Sequence, residues 1–378
     1  MSAAVIDGQT ADRSWGDGVL DWTGSVRAIA VLRIALGPIT LLHLRPFLRD
    51  VRRGVAYNDH FWQPFVAWFP ELPGRAWFGL IWIGVTAAVL MTIGLWTRLA
   101  TATAFAVVAT NLLLSTTHFR HNRTFLMILL AAVALLPSGR VLSVDAWLRR
   151  RAGRALPDVA ALWPLWLVRV QVCLVYLASG LSKLIDPDWV GGLVMWDRVV
   201  RYRHVLEPTP LPGWAIDLLM QRWFYYVAAP VAVAIELFVG VGLLLARTRL
   251  TAIWVAMFFH VMIEVSASVE VFSVAAIAAL AIWVRPSTRE HVVAVGGTDA
   301  TSRLLIAALH FGDWFARLRV VRAAAGEPAL RVEDVRGDSL AGTDAVLFVL
   351  SRMPLTFPVA APMGAVRRWL HRSVGEQR

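Results

Sequence analysis

Long apolar segments recur along the chain, and several approach or exceed the roughly 18–20 residues that a helix needs to cross a bilayer. The bilayer core offers no water to backbone N–H and C=O groups, so spanning segments of this kind form helices. The predicted fold class is therefore an all-α polytopic membrane protein with about eight transmembrane helices and a small C-terminal α/β appendage. The predicted spans are Val26–Leu44, Ala76–Trp96, Leu99–Thr117, Thr124–Leu136, Leu162–Leu184, Phe224–Ala246, Leu250–Val265 and Val269–Val284.

The composition supports a membrane location. Of the 378 residues, 58% are hydrophobic and 17% are charged, whereas soluble domains carry about 45–50% apolar and about 25% charged residues. Many of the 18 tryptophans flank the apolar segments, as indole rings do at membrane–water interfaces. The formal net charge of +11 favours anionic lipid headgroups over nucleic acid. We expect the lipid bilayer and anionic lipids as partners, and no nucleic acid.

The chain divides into three regions by composition. Residues 1–25 are polar and lack the basic and apolar regions of a cleaved signal peptide. Residues 26–286 hold the predicted spans, and residues 287–378 mix short elements of both kinds. In this tail we predict strands at RLLIAAL and ALRVEDV, and helices at DWFARLRVV, TDAVLFVLSRM and GAVRRWLHRSV.

Lys183 is the only lysine among the 37 basic Lys and Arg residues. It ends a stripe on the fifth span, where Arg169, Cys173, Tyr176, Gly180 and Lys183 are spaced by four, three, four and three residues. That spacing places all five on one helix face. Ionisable groups inside a membrane are costly unless they face the protein interior or water, so this face is predicted to look inward.

Lysine can lose its proton when it is buried, whereas arginine stays protonated. Lys183 is therefore a candidate general base or proton carrier. The alternative is a lysine that extends to the interface and pairs with Asp186 or Asp188. The low lysine content also suggests a GC-rich bacterial genome, and hence a multi-pass protein of the cell membrane.

Three further ionisable groups lie in later spans. His260 and Glu264 are four residues apart and share a helix face, and Glu236 lies in the middle of the sixth span. These groups either line a polar pocket or proton path with Lys183, or fix helix packing through hydrogen bonds; Arg33 is a candidate partner for either glutamate. The single cysteine excludes an internal disulfide and a thiolate cage, and no metal site is predicted.

The segment YLASGLSKLIDPDWVGG, Tyr176–Gly192, resembles the signature of the vitamin K-dependent gamma-carboxylase superfamily, the HTTM (horizontally transferred transmembrane) domain. Weaker similarity covers about Val26 to Pro286, including RIALGPITLLHLR, FWQPFVAWFPELP, HNRTFLMILLAAVALLPSG, AIELFVGVGLLLARTR and FFHVMIE. The matching signature positions are Tyr176, Gly180, Lys183, Asp188, Trp189 and Gly191.

The resemblance implies that Lys183 deprotonates a reduced quinone, as a lysine does in the carboxylase. Tyr176 is a further catalytic candidate, and Arg123, with His121 beside it, is the best match to a histidine that supports the reactive anion in the family. The cofactor-binding candidates are Arg169, Gly180, Trp189, His260, Glu264 and Glu236. The short tail argues against glutamate carboxylation and leaves quinone or isoprenoid-lipid chemistry.

A non-catalytic role is the competing hypothesis: a membrane factor that binds a lipid or a peptide, in maturation, export or immunity. The C-terminal segment GTDAVLFVLSRMPLTFPVAAPMGAVRRWLHRSV resembles the thioredoxin-like DCC family. The CxxC expected near HFGDWFARL is missing, so the resemblance implies a tail that binds or stabilises and has no redox centre.

Overall fold

The computed structural model describes residues 23–52, 64–65, 67–68, 73–113, 119, 121–161, 163–209, 211–267, 271–284, 291–323, 328–334 and 337–375. The polar segment predicted at residues 1–25 lies almost wholly outside the described residues. The chain forms two compact units, Met1–Val284 and Arg285–Arg378. This division falls within a few residues of the boundary expected from composition.

The first unit is a bundle of long helices with short helices on one connection. A two-stranded sheet, β1 (Thr23–Ser25) and β2 (Val159–Ala161), joins two parts of the chain. The helices are α1 Arg27–Arg52, α2 Gly74–Ile93, α3 Thr97–Leu113, α4 His121–Leu135, α5 Val144–Arg151, α6 Trp163–Leu184, α7 Pro187–Val190, α8 Leu193–Arg201, α9 Arg203–Leu206, α10 Gly213–Met220, α11 Tyr225–Gly242, α12 Arg249–Ala267 and α13 Val271–Ala279.

Each of the eight predicted spans contains an apolar helix, but the helices differ in length. Within the described residues, five are long and apolar enough to cross a membrane. Three are shorter, at Thr97–Leu113, Arg123–Leu135 and Val271–Trp283, so the count of eight spans stays a prediction. Outward-facing Leu99, Val227 and Phe258 are 65%, 65% and 67% exposed. Such apolar side chains suit contact with lipid, and the unit is a multi-pass membrane domain.

The antiparallel pairing of β1 with β2 places the starts of α1 and α6 at one end of the bundle, which we call the near end. Buried Arg33 of α1 donates from Nη1 to the Met91 carbonyl at 3.0 Å and from Nη2 to the Leu142 carbonyl. It therefore satisfies carbonyls at the end of α2 and in the loop before α5. The suggested pairing of Arg33 with Glu236 or Glu264 is wrong, because these near-end carbonyls take its donors.

Asp145 closes the connection between α2 and α3 at the near end. Its carboxylate accepts hydrogen bonds from Trp96 N at 2.9 Å, Thr97 N at 2.8 Å and Thr97 Oγ1 at 2.7 Å. These amides begin α3, so a side chain from α5 provides the N-terminal cap of another helix. Burial raises the pKa of Asp145, but the hydrogen bonds from Thr97 and Trp96 outweigh it and hold that pKa below 3.8.

Helices α6 and α11 cross closely at two glycines. A Cβ on Gly180 would lie 2.8 Å from Leu237 Cδ2, and one on Gly240 would lie 2.7 Å from Leu177 Cδ2. Small residues let helix backbones approach where no hydrophobic force drives them together. The close approach brings the α11 backbone at Glu236 next to the last turns of α6.

The segment Ile185–Arg222, between α6 and α11, contains four short helices, α7 to α10. Val199, Leu206 and Tyr225 form a small buried cluster there. Trp196 Nε1 donates to the Met220 carbonyl at 2.9 Å and Tyr225 donates to the Leu219 carbonyl at 2.7 Å. This cap covers the end of the bundle opposite the near end, where α6 ends and α11 begins.

The second unit is a four-stranded sheet with helices. Its elements are β3 His291–Val295, α14 Ala300–Gly312, β4 Leu318–Arg322, β5 Leu330–Glu333, β6 Ser339–Ala341, α15 Gly342–Leu350 and α16 Phe357–Gly375. The strand order is β4-β3-β5-β6, with β3 parallel to β4 and antiparallel to β5. A helix crossover followed by a hairpin is the order expected for a thioredoxin-like unit, while the DCC similarity itself stays a prediction.

Two tail elements were predicted with the wrong type, and β3 was not predicted. RLLIAAL is helical within α14, because Asp299 caps its start by accepting from Ser302 N and Leu305, Ile306 and Leu309 pack into the core at helical spacing. DWFARLRVV is not a helix: its end forms β4, where Leu318 is buried and Arg319 is exposed. The predicted strand at ALRVEDV and the helices at the last two segments are present.

We expect Asp145→Ala to lower the free energy of unfolding by about 2–3 kcal/mol, because a helix cap and two further hydrogen bonds are lost. Thermal or denaturant unfolding in detergent measures this, with Asp158→Ala as a half-exposed near-end control. The depressed pKa means that the stabilisation is complete above pH 3.8 and fades as the pH falls through the folded value. A difference between variant and wild type that grows below pH 3.8 would contradict this account.

We expect Gly180→Ala to destabilise the bundle, because its methyl group meets Leu237 at 2.8 Å and forces α6 and α11 apart. Overpacking of this kind costs about 1–3 kcal/mol. Gly79→Ala is the matched control, since a Cβ there has nothing within 4 Å. Unfolding in the same detergent compares the two, and equal stabilities would show that the helix crossing tolerates a methyl group.

Candidate functional site

Lys183 is placed in the last turn of α6 and pairs with Glu236 of α11. The distance from Lys183 Nζ to Glu236 Oε1 is 2.5 Å, and the side chains are 19% and 7% exposed. Ser179 Oγ joins the pair, 3.0 Å from Nζ and 3.1 Å from Oε1. The side chains form a hydrogen-bonded acid–base cluster with little access to water, as an ion pair between apolar helices requires.

The alternative pairing of Lys183 with nearby aspartates is not observed among the described residues. Asp186 instead caps α7 by accepting from Asp188 N at 3.0 Å and Trp189 N at 3.4 Å. This turn positions the Trp189 ring with its centroid 4.8 Å from Lys183 Nζ, within the range of a cation–π contact. The signature DPDW thus builds an aromatic wall beside the lysine.

A second pair lies deeper in the bundle. Tyr176 OH and His260 Nε2, from α6 and α12, are 2.6 Å apart, and the Phe272 ring of α13 packs edge-on against His260 at 5.5 Å. Tyr176 is two helical turns, about 10 Å, from Lys183 along α6. Tyr176 and Lys183 lie on one face of α6, so the two pairs are neighbours along the same helix.

Two buried polar atoms of this site have no hydrogen-bond partner among the described residues: Glu236 Oε2 and His260 Nδ1. Buried polar groups are nearly always hydrogen-bonded, so an unsatisfied one calls for an explanation. A carboxylate oxygen accepts, and an imidazole nitrogen donates or accepts. The described residues therefore leave hydrogen-bonding capacity on both atoms unused.

Other predicted site residues lie apart from this cluster. Arg169 is 14 residues before Lys183, about 21 Å along α6; its Nη2 donates to the Ile282 carbonyl at 2.8 Å, and Trp166 and Trp283 face it at 5.0 Å. Its contacts therefore anchor the near end of α6.

Arg123 lies 4.9 Å over the Phe47 ring, at the end of α1. Glu264 lines a cavity beside that end, and the side chain of His121 lies outside the described residues. The structure therefore groups Lys183, Gly180, Trp189 and Glu236, and pairs Tyr176 with His260 deeper in the bundle. Arg169 and Arg123 contact other parts of the bundle. Glu264 lies one helical turn from His260, and its role in the site stays a prediction.

Sequence analysis missed two polar residues of these sites. Ser179 precedes Gly180 within the signature and was not singled out, although its spacing of four from Lys183 puts both on one face. His43 of α1 is 2% exposed, and neither of its ring nitrogens has a hydrogen-bond partner among the described residues. A histidine inside the first predicted span was the available signal.

The arrangement was compared with known proteins. The sequence model that defines the HTTM-domain family matches residues 25–287, well over half of the chain. The chain belongs to the HTTM-domain family. Comparisons with curated proteins and with solved structures found no match. The HTTM domain coincides with the helical bundle, and its match includes every residue of the cluster around Lys183.

We expect Lys183→Met to lower the free energy of unfolding of the HTTM domain by about 3–5 kcal/mol, because it leaves the Glu236 carboxylate buried without its cation. Adding Glu236→Leu should recover most of that loss, since an apolar pair replaces the charged pair. Unfolding of wild type, both single variants and the double variant in one detergent gives the coupling energy. The exposed pair Arg201–Asp197 is the control, and its coupling should stay below about 1 kcal/mol.

Proposed function

We propose that this HTTM-domain protein removes a proton from an acidic hydroxyl group of a lipid-soluble substrate, of the reduced-quinone type, in the membrane. The observation that carries the proposal is the 2.5 Å contact between Lys183 Nζ and Glu236 Oε1, in a site with little water. An amine and a carboxylate this close can exchange one proton between them. The active pair is then a lysine with an acid–base partner, and not a solitary amine.

The proton balance follows from this pair. When the shared proton sits on Glu236 Oε1, the Lys183 amine is neutral and has a lone pair. The substrate O–H bond breaks, its proton moves to Lys183 Nζ, and the electron pair stays on the substrate oxygen. The resulting ammonium group remains beside the new oxyanion and stabilises it, as preorganised charges do in low-dielectric sites.

The residues around the pair offer the kinds of contact that a quinol ring would make. A reduced quinone would supply two phenolic hydroxyl groups on an aromatic ring. The Trp189 ring offers an aromatic face, and the unpartnered Glu236 Oε2 offers a hydrogen-bond acceptor. The unpartnered His260 Nδ1, held in place by Tyr176, offers a second hydrogen bond. Apolar side chains line the surrounding helices, as a lipid-soluble substrate requires.

Kinship to the gamma-carboxylase supports proton removal from a quinol and gives no support to glutamate carboxylation in this chain. The position that resembles the family's anion-supporting histidine is held by Arg123, whose contact is Phe47 of α1. The described C-terminal unit is a small sheet domain of its own. We propose a location in the cell membrane of a bacterium, with the quinone pool as the source of substrate.

A non-catalytic membrane factor is the second candidate, and the same ion pair favours it in a different way. Lys183 and Glu236 join α6 to α11 next to the Gly180 crossing. A purely structural role needs the charge of Lys183 and does not need its proton to leave. The two candidates therefore predict different effects of a side chain at position 183 that stays positively charged.

Lys183→Arg tests this difference, because arginine keeps the pair with Glu236 but does not accept a proton. Wild type and variant in nanodiscs receive a reduced naphthoquinone, and dioxygen-dependent oxidation is followed by absorbance, since the deprotonated quinol oxidises faster. We expect Lys183→Arg to fold like wild type and to lose at least about 100-fold in rate, the usual contribution of a general base.

Arg201→Lys is the control for a basic exchange outside the site and should keep the wild-type rate. Retained activity in Lys183→Arg would remove the base assignment. A wild-type protein that binds the quinol without accelerating its oxidation would favour the non-catalytic candidate.

A further inference from the structure

A cavity of about 520 Å³ lies beside the end of α1 that is far from the near end. It is bounded by the last turns of α1, by α12 at Glu264 and by the start of α13. Neither Lys183 nor any of its direct partners lines it. The cavity is therefore separate from the site proposed for proton removal.

His43 is a buried polar group on the wall of this cavity. It is 2% exposed, and both Nδ1 and Nε2 have no hydrogen-bond partner among the described residues. A neutral imidazole carries one donor and one acceptor, and leaving both unmade is costly. A ligand oxygen in the cavity would satisfy the donor.

Positive groups surround the same cavity. Arg45 and Arg49 are four residues apart on α1 and both line it, and Arg123 acts electrostatically on His43. Two carboxylates oppose them: Glu264 on the wall, and Asp50, which pairs with Arg49 at 3.0 Å. Among the described residues, three cations therefore face two anions here, which favours a ligand with one negative charge.

The cavity is also lined by apolar residues that are exposed on the surface of the bundle. Leu42 and Val274 line the cavity and are 49% and 40% exposed. In a membrane helix such exposed apolar residues face acyl chains. Arg45 and Arg49 lie in the last turns of α1, where a spanning helix meets the lipid headgroups. The cavity thus combines exposed arginines, the buried His43 side chain and an apolar opening.

We propose that this cavity binds an amphiphile with a singly charged phosphodiester headgroup, which is the chemistry of an anionic membrane phospholipid. The headgroup phosphate accepts hydrogen bonds from Arg45, Arg49 and His43. Its acyl chains leave past Leu42 and Val274. Basic pockets between membrane helices bind lipid headgroups in this manner, and arginine is well suited to phosphate.

The test is titration of the full-length protein, in a neutral detergent, with phosphatidylglycerol, phosphatidylcholine or inorganic phosphate. Native mass spectrometry counts bound lipid, and the thermal unfolding midpoint reports stabilisation. We expect tight binding of phosphatidylglycerol and at least about tenfold weaker binding of phosphatidylcholine. Arg45→Gln with Arg49→Gln should weaken phosphatidylglycerol binding by at least about tenfold, because two charge-assisted contacts are lost.

Arg201→Gln with Arg203→Gln is the matched control, since it removes the same charge from exposed positions and should leave binding unchanged. Val274→Trp fills the apolar opening without a change of charge and should also abolish binding, which keeps the test valid if His43 or arginine variants fold poorly. Equal binding of phosphatidylcholine, or equal loss in the control, would overturn the proposal. Stabilisation by inorganic phosphate as strong as by the lipid would replace it with a site for a soluble anion.

Discussion

The free-energy cost of burying charged side chains between apolar helices constrains how the helices of this protein pack. Lys183 and Glu236 would each be unstable alone at the α6–α11 interface, and together they form a compact pair with Ser179. The pair requires close helices, and closeness requires glycine at positions 180 and 240. One constraint therefore links the packing of the bundle to its only lysine. The same pair provides the acid–base chemistry that we propose.

The near end of the bundle meets the same constraint with different partners. Arg33 and Arg169 are buried, and each guanidinium group donates hydrogen bonds to backbone carbonyls. Arg169 also makes a cation–π contact with an aromatic ring. Lys183, by contrast, pairs directly with the Glu236 carboxylate. Guanidinium groups that stay protonated serve as anchors for helix ends, while the one amine that can exchange a proton sits beside an acid. The division of roles between arginine and lysine is thus reflected in their surroundings.

The cavity near His43 and the cluster at Lys183 differ in chemistry, although both involve the later part of the bundle. The cluster has a proton donor and acceptor balanced against each other, with aromatic walls. The cavity has an excess of positive charge and an apolar opening. A substrate that loses a proton suits the first, and a permanent anion suits the second. The sheet unit after Val284 has its own hydrophobic core around Val293, Val332 and Phe348.

The sequence by itself determined the helical membrane domain, the boundary near Pro286 and the stripe from Tyr176 to Lys183, because hydropathy and helical spacing are local properties. For His260 and Glu236 it left two alternatives open, a polar pocket shared with Lys183 or hydrogen bonds that fix helix packing. It did not determine which charges meet: Lys183 and Glu236 are 53 residues apart, and only the packing of α6 on α11 decides that they pair. For the same reason it did not reveal that Arg169 donates to the Ile282 carbonyl at the near end. In the tail, short segments such as RLLIAAL suit strand or helix alike, and pairing of β3 with β4 decided between them.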